Sequence, residues 1–280
     1  MDVHLAEERM LVLQDQFNMD HAEGRASTKK IDAFGALAKV AGFLSRPKDD
    51  EFELVYREHR LQPFWRAACT FVSAYERKRD HVLKLPPEVR QVALAGETHP
   101  VVDHAVTLSV LETCREEIKR DIYFDALTGQ PVADLSAKLR FPTLPATEES
   151  LAAFTEKGTV VVPPQATSSV VVRDVLGGLV NKIKADKVLE ETVSFEAIDL
   201  YYRPVYAFRY RRAGKEAVVE FDGLTGEVRT GGATFESYVG KILDTHFLLD
   251  AGAEVANLFL PGATLVKVLV AKGLDLRGSR

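Results

Sequence analysis

Phe124-Asp125-Ala126-Leu127-Thr128-Gly129 and Phe221-Asp222-Gly223-Leu224-Thr225-Gly226 are the same hexapeptide but for one residue. An aspartate accepts hydrogen bonds from backbone N–H groups just ahead of it, and glycine supplies a positive φ. Each copy is therefore expected to be a structural turn, held by Asp125 with Gly129 and by Asp222 with Gly226. Such chemistry arises twice either by duplication or because it makes a good turn. A second pair of anchors favours duplication. Leu61-Gln62-Pro63-Phe64-Trp65 and Tyr202-Arg203-Pro204-Val205-Tyr206 both place an apolar residue and then an aromatic after the proline.

Working outward, Ser27 and Thr28 read as an N-cap for a helix to about Leu44, with Phe34, Leu37, Val40 and Phe43 at helical spacing. Separate β segments follow, at 66–72, 81–85 and 88–95; 105–120 fits strand or helix. Ser168 or Ser169 opens a helix bearing Val172, Val175, Leu176, Leu179 and Ile183. Strands are expected near 194–200, 205–211 and 217–221. The expected fold is α+β: two related halves, each a helix followed by antiparallel strands, plus a C-terminal helical segment. Residues 1–27 would be an irregular lead, 28–140 the first half with an insertion, and 141–165 a proline-rich connection. Residues 166–232 would be the second half and 233–280 the helical segment.

The second half carries a resemblance. Tyr206-Ala207-Phe208-Arg209-Tyr210, then Gly214 through Phe221-Asp222-Gly223-Leu224-Thr225-Gly226-Glu227-Val228, resembles the PepSY-like modules. These pair an aromatic-rich strand with one ending in Asp-x-x-Thr-Gly-x-Val, packed on a helix. The likeness lies mainly in residues 194–228, with a second copy expected around Tyr123–Gly129. It implies a small α+β binding or regulatory module and no catalytic residues.

The 280-residue chain is 46% hydrophobic and 28% charged, so a disordered chain is excluded. A net charge of −5 argues against nucleic acid as the main partner. The N-terminus has no basic and then apolar signal pattern, and two cysteines are too few for a disulfide scaffold, so a cytoplasmic setting is expected. No cofactor motif is present. His99-Pro100-Val101-Val102-Asp103-His104 is either a polar loop or two imidazoles and a carboxylate near one ion. Cys69 reads as a buried residue; Cys114, in a more polar setting, is the other candidate for an enzyme. Tyr75–Arg79 and Arg209–Arg212 are short basic clusters beside aromatics. Tyr202, Tyr206, Phe208 and Tyr210 share one face of a strand, either as core or as an open binding surface.

The chain's end is apolar beyond the need of one short helix face. Leu258, Phe259, Leu265, Val266 and Leu269 are the expected partner surface, for another protein or a second copy. The leading expectation is a non-enzymatic protein-binding or adaptor protein. The alternatives are a hydrolase or metal-dependent enzyme using the His99–His104 loop or Cys114, and a peripheral membrane-surface protein using the C-terminal segment.

Overall fold

Strand, not helix, is what most of the described residues form. The computed structural model describes residues 1–35, 51–133, 135–180 and 184–235, of which 53% lie in strands and 18% in helices. The strands are β1 (Asp2–His4), β2 (Glu8–Leu13), β3 (Glu53–Lys84), β4 (Gln91–Leu94), β5 (Glu97–Pro100) and β6 (Ala105–Asp125). They continue with β7 (Pro131–Val132), β8 (Thr143–Pro145), β9 (Val160–Val161), β10 (Lys187–Arg212), β11 (Lys215–Asp222) and β12 (Val228–Thr230). Ten form one mixed sheet of order β12-β11-β10-β3-β6-β7, with β1 and β2 also on β10, β8 on β2 and β9 on β3; β4 and β5 make a separate hairpin. The helices are α1 (Met19–Ser27), α2 (Lys30–Ala33), α3 (Glu148–Glu156) and α4 (Ser168–Val180).

Long strands are built here from period-two burial. On β3 the side chains of Ala67, Cys69, Phe71, Ser73 and Tyr75 are buried at every second position. A proline inside a strand normally marks an edge, because it cannot donate to the ladder. Pro204 escapes that rule by its place on β10. It falls between Tyr202, paired with Val12 of β2, and Val205, paired with Asp222 of β11. The missing N–H sits where one neighbour ends and the next begins.

The chain clusters into two compact units. The first comprises Met1–Ala6, Ala67–Asp121 and Arg173–Ala197; the second comprises Glu7–Arg66, Ile122–Val172 and the chain from Ile198 onward. In the first, β1 runs parallel to β10 through Val3 and Val193. In the second, Ala22 and Ala26 of α1 pack on Tyr206, Phe208, Tyr210, Val219 and Phe221, all buried. The aromatic stripe on β10 is thus core. A neighbouring cluster holds Leu13, Phe64, Tyr123, Tyr201 and Leu224.

The α+β expectation of two duplicated halves is overturned by this strand content and by the mixed sheet. Elements from the lead and the connection are sheet members: β2 lies on β10, β8 on β2, and β9 on β3. Ser27 and Thr28 do not cap a helix N-terminus; of the helix expected from them to about Leu44 the structure describes only α2, and Leu37, Val40 and Phe43 lie outside the described residues. Asn18 caps α1 by accepting from His21 N at 2.9 Å, while the Ser27 and Thr28 hydroxyls donate back to the Gly24 and Arg25 carbonyls at its end. The segments expected separately at 66–72 and 81–85 belong to one strand, β3, which runs through the charged residues between them and ends at Lys84. The 105–120 segment is strand within β6, and α4 starts at Ser168. The expected partner surface, Leu258 to Leu269, lies outside the described residues.

Candidate functional site

Both hexapeptides form the same turn. Asp125 Oδ1 accepts from the N–H groups of Leu127 (2.8 Å) and Thr128 (3.1 Å), and Gly129 has φ +70°. Asp222 Oδ1 accepts from Leu224 (3.0 Å) and Thr225 (3.1 Å), and Gly226 has φ +73°. The difference lies in the second carboxylate oxygen. Asp222 Oδ2 accepts from Lys138 Nζ and from Arg203 Nη1 at 3.2 Å, with both Asp222 and Lys138 buried. Arg203 also donates to Gln62 Oε1. Burial pushes the Asp222 carboxyl up, but Lys138 and Arg203 outweigh it and hold it below its ordinary value. The Arg203 guanidinium is pushed down chiefly by burial.

A second buried network adjoins the first on β3 and β11. Arg60 is fully buried; it donates from Nη1 to Glu58 Oε1 (2.7 Å) and the Ala233 carbonyl (2.5 Å), and from Nη2 to Glu220. Glu58 accepts from Phe235 N (3.0 Å) and from the Tyr56 hydroxyl (2.9 Å). Four carboxylates, Glu58, Glu220, Asp222 and Glu227, stand with four cations, Arg60, Lys138, Arg203 and Arg229. The formal charges of these eight groups balance, with Glu227 and Arg229 paired at the exposed rim.

The single difference between the hexapeptides, Gly223 for Ala126, leads to the candidate site. A Cβ on Gly223 would lie 2.5 Å from Asp15 Oδ1 and 2.9 Å from Pro204 Cβ. Glycine there lets the Asp15 carboxylate approach the backbone. Asp15 also lies 2.8 Å, through Oδ2, from His59 Nε2, and His59 Nδ1 is 3.0 Å from the Thr159 hydroxyl. The His59 ring stacks on Tyr206 at 4.6 Å between centroids, and the Tyr206 hydroxyl donates to the Phe17 carbonyl at 2.7 Å. In front of Asp15 is an open cavity of about 350 Å³ lined by Asp15, Gln16, Phe17, Asn18 and His21, from the loop between β2 and α1 and the first turn of α1. His21 stacks on Phe17 at 5.1 Å, and Phe17 meets Phe221 edge-on. The cavity wall thus carries a carboxylate and an imidazole ring.

The other candidates lie elsewhere. His99 pairs opposite Val92 in the β4–β5 hairpin, and His104 occupies a turn with φ +60°. No group of three or more His, Cys, Asp or Glu side chains able to hold a metal occurs among the described residues. Cys69 is buried, which pushes its thiol up and away from the reactive thiolate; Cys114 is half-buried on β6. The basic clusters are met by carboxylates: Arg77 by Glu112, Arg209 and Arg211 by Glu216, and Arg212 by Glu51. No helix among the described residues is long and apolar enough to cross a membrane. Sequence reading missed Asp15, His59 and Thr159, which are far apart in the chain and sit in no motif. The single signal was the glycine that replaces alanine in the second hexapeptide. No protein-family model, curated protein or solved structure matches the chain.

Proposed function

We propose that this is a non-enzymatic binding or adaptor protein whose cavity beside α1 receives a basic group presented by a protein partner. The observation that carries the proposal is the Asp15 carboxylate, which lies 2.8 Å from His59 Nε2 and lines an open cavity together with His21. A guanidinium meets both features, pairing with a carboxylate and stacking on a ring. The cavity's size falls at the small end of ligand pockets, roughly 300–1,000 Å³. The likeness of 194–228 to PepSY-like modules supports binding over catalysis. A cytoplasmic setting belongs to the same proposal, supported by two cysteines outside any disulfide.

A second reading, acid–base catalysis at the same cavity, is favoured by the hydroxyl–imidazole–carboxylate chain of Thr159, His59 and Asp15. Thr159 is only 8% exposed and is absent from the cavity wall, which supports a role for it in orienting the ring. The test is an NMR titration of the full chain with a short arginine-containing peptide. Saturable shifts at Asp15, Asn18 and His21 that vanish in Asp15→Asn are expected. Shifts equal in wild type and Asp15→Asn, or none at all, defeat the proposal.

A further inference from the structure

In the first unit, β6 has β3 on one side. On its other side, pairing among the described residues occurs only at the ends, in the Val102–Ala105 bridge and at Tyr123 and Phe124 with β7. Among the described residues nothing else pairs with that side between Val106 and Arg120, which leaves a sheet edge, a row of N–H and C=O groups able to template another strand. Charged side chains normally keep such edges apart, and β6 is rich in them. Their order is the unusual feature. Glu116 and Glu117 precede Ile118, and Lys119 and Arg120 follow it, so the sign of charge inverts about Ile118. Arg115 and Asp121, one step further out, obey the same inversion.

We propose that β6 pairs edge to edge with β6 of a second copy, antiparallel, about a two-fold axis through Ile118. In that register each residue faces the one equally far beyond Ile118 on the other copy. Glu117 then faces Lys119, Glu116 faces Arg120, and each pair occurs twice. A two-fold axis perpendicular to the sheet keeps side chains on their own faces, so only registers centred on a residue are allowed. Moving the centre to Glu117 sets it against itself and Arg115 against Lys119. Moving it to Lys119 sets that residue against itself and Glu117 against Asp121. Like charges directly opposite destabilise a pair, so the pattern selects the Ile118 register.

The side chains concerned are available. Arg115, Glu116, Glu117, Lys119 and Arg120 are all exposed, and Ile118 is half-buried. Glu117 and Lys119 meet within the chain at 3.5 Å while 55% and 75% of their side chains stay exposed, a weak contact that an opposing strand supplements. The Tyr75 hydroxyl of β3 donates to Glu116 and Arg115 donates to Glu190 of β10, so these two exchange partners on pairing, and the exposed Glu117 and Lys119 set the register. The pairing draws on residues of β6 alone.

The test is sedimentation equilibrium of the full chain. The wild type is expected to dimerise. Lys119→Glu places a second carboxylate opposite Glu117 in both pairs and weakens the dimer at least about tenfold. Adding Glu117→Lys swaps the signs and restores the dimer, an outcome that loss of folding does not produce. In a Cys114→Ser background, Ile118→Cys should cross-link to itself under mild oxidation, since only the central residue faces its own copy. A strictly monomeric wild type overturns the proposal. So does a dimer unmoved by Lys119→Glu, or one lost only on truncation after Leu249.

Discussion

Asp15 Oδ1 lies so close to the backbone of Gly223 that a methyl group there would come within 2.5 Å of it. Ala126 fills the same place in the other hexapeptide and is fully buried without conflict. The difference is tertiary, because the turns are alike. Gly223→Ala should therefore cost about 1–3 kcal/mol, as overpacking of a close contact does. It should also push Asp15 away from His59. Urea unfolding measures the first effect, and the His59 ring resonances report the second. A variant as stable as wild type with unchanged His59 signals contradicts this account.

The two turn aspartates should part company on mutation. Asp125→Asn keeps an oxygen for Leu127 and Thr128, and should cost at most about 1 kcal/mol. Asp222→Asn keeps the turn too, but strips the charge from a buried carboxylate that serves Lys138 and Arg203. Breaking one side of a buried ion pair costs about 3–5 kcal/mol. Equal losses for the two variants, read from denaturant midpoints at constant slope, would contradict a special role for Lys138 and Arg203.

Acid stability should depend on the same carboxyl. Its folded value lies below the ordinary 3.8, because Lys138 and Arg203 overcome the effect of burial. The stability it contributes is therefore present above the ordinary carboxyl range and is lost as pH falls through the lower folded value. Asp222→Asn should flatten the acid limb of the stability profile. At the alkaline end the sign reverses. Burial, with a smaller contribution from Glu23, pushes the Tyr210 phenol from 10.0 to about 12. Its contribution is full below the ordinary value and is lost as pH rises through the folded one. Tyr210→Phe should hold its stability further into that range, as urea midpoints measured across the two limbs will show.

What the sequence made legible was local. The aspartate turns are chemistry within six residues, and the helix from Ser168 carries its own apolar spacing. The long strands were hidden because β3 passes through Glu-Arg-Lys-Arg at 76–79, a charged run that in sequence looks like a break in an apolar segment. Pro204 misled for a similar reason: its tolerance depends on where β2 gives way to β11, which no window along the chain contains. Asp15 and His59 meet across 44 residues, and His59 and Thr159 across 100. Lys138 reaches Asp222 from 84 residues away. Neither meeting has a local sign beyond the Gly223 substitution.

The Arg60 network tests whether the buried charges act as one unit. Arg60 is fully enclosed, with Glu58 and Glu220 as its carboxylate partners and the Ala233 carbonyl beside them. Arg60→Ala removes the cation and leaves two carboxylates facing each other's field, at a cost of about 3–5 kcal/mol. Arg60→Lys should recover only part, because an ammonium is a point charge and does not span both partners as a guanidinium fork does. Glu58→Gln alone keeps an acceptor for Phe235 N and for Tyr56, so its cost comes mainly from the lost charge. Combining Arg60→Met with Glu58→Gln removes one positive and one negative charge together. That double variant should therefore lose less than the sum of its parts, with a coupling of about 1–3 kcal/mol. A double-mutant cycle by urea unfolding, followed through the fluorescence of the sole tryptophan, Trp65, whose indole N–H donates to the Ala166 carbonyl, gives that number. Additive losses would mean that Glu58 and Arg60 stabilise the chain separately, and that Phe235 is held by its backbone contact alone.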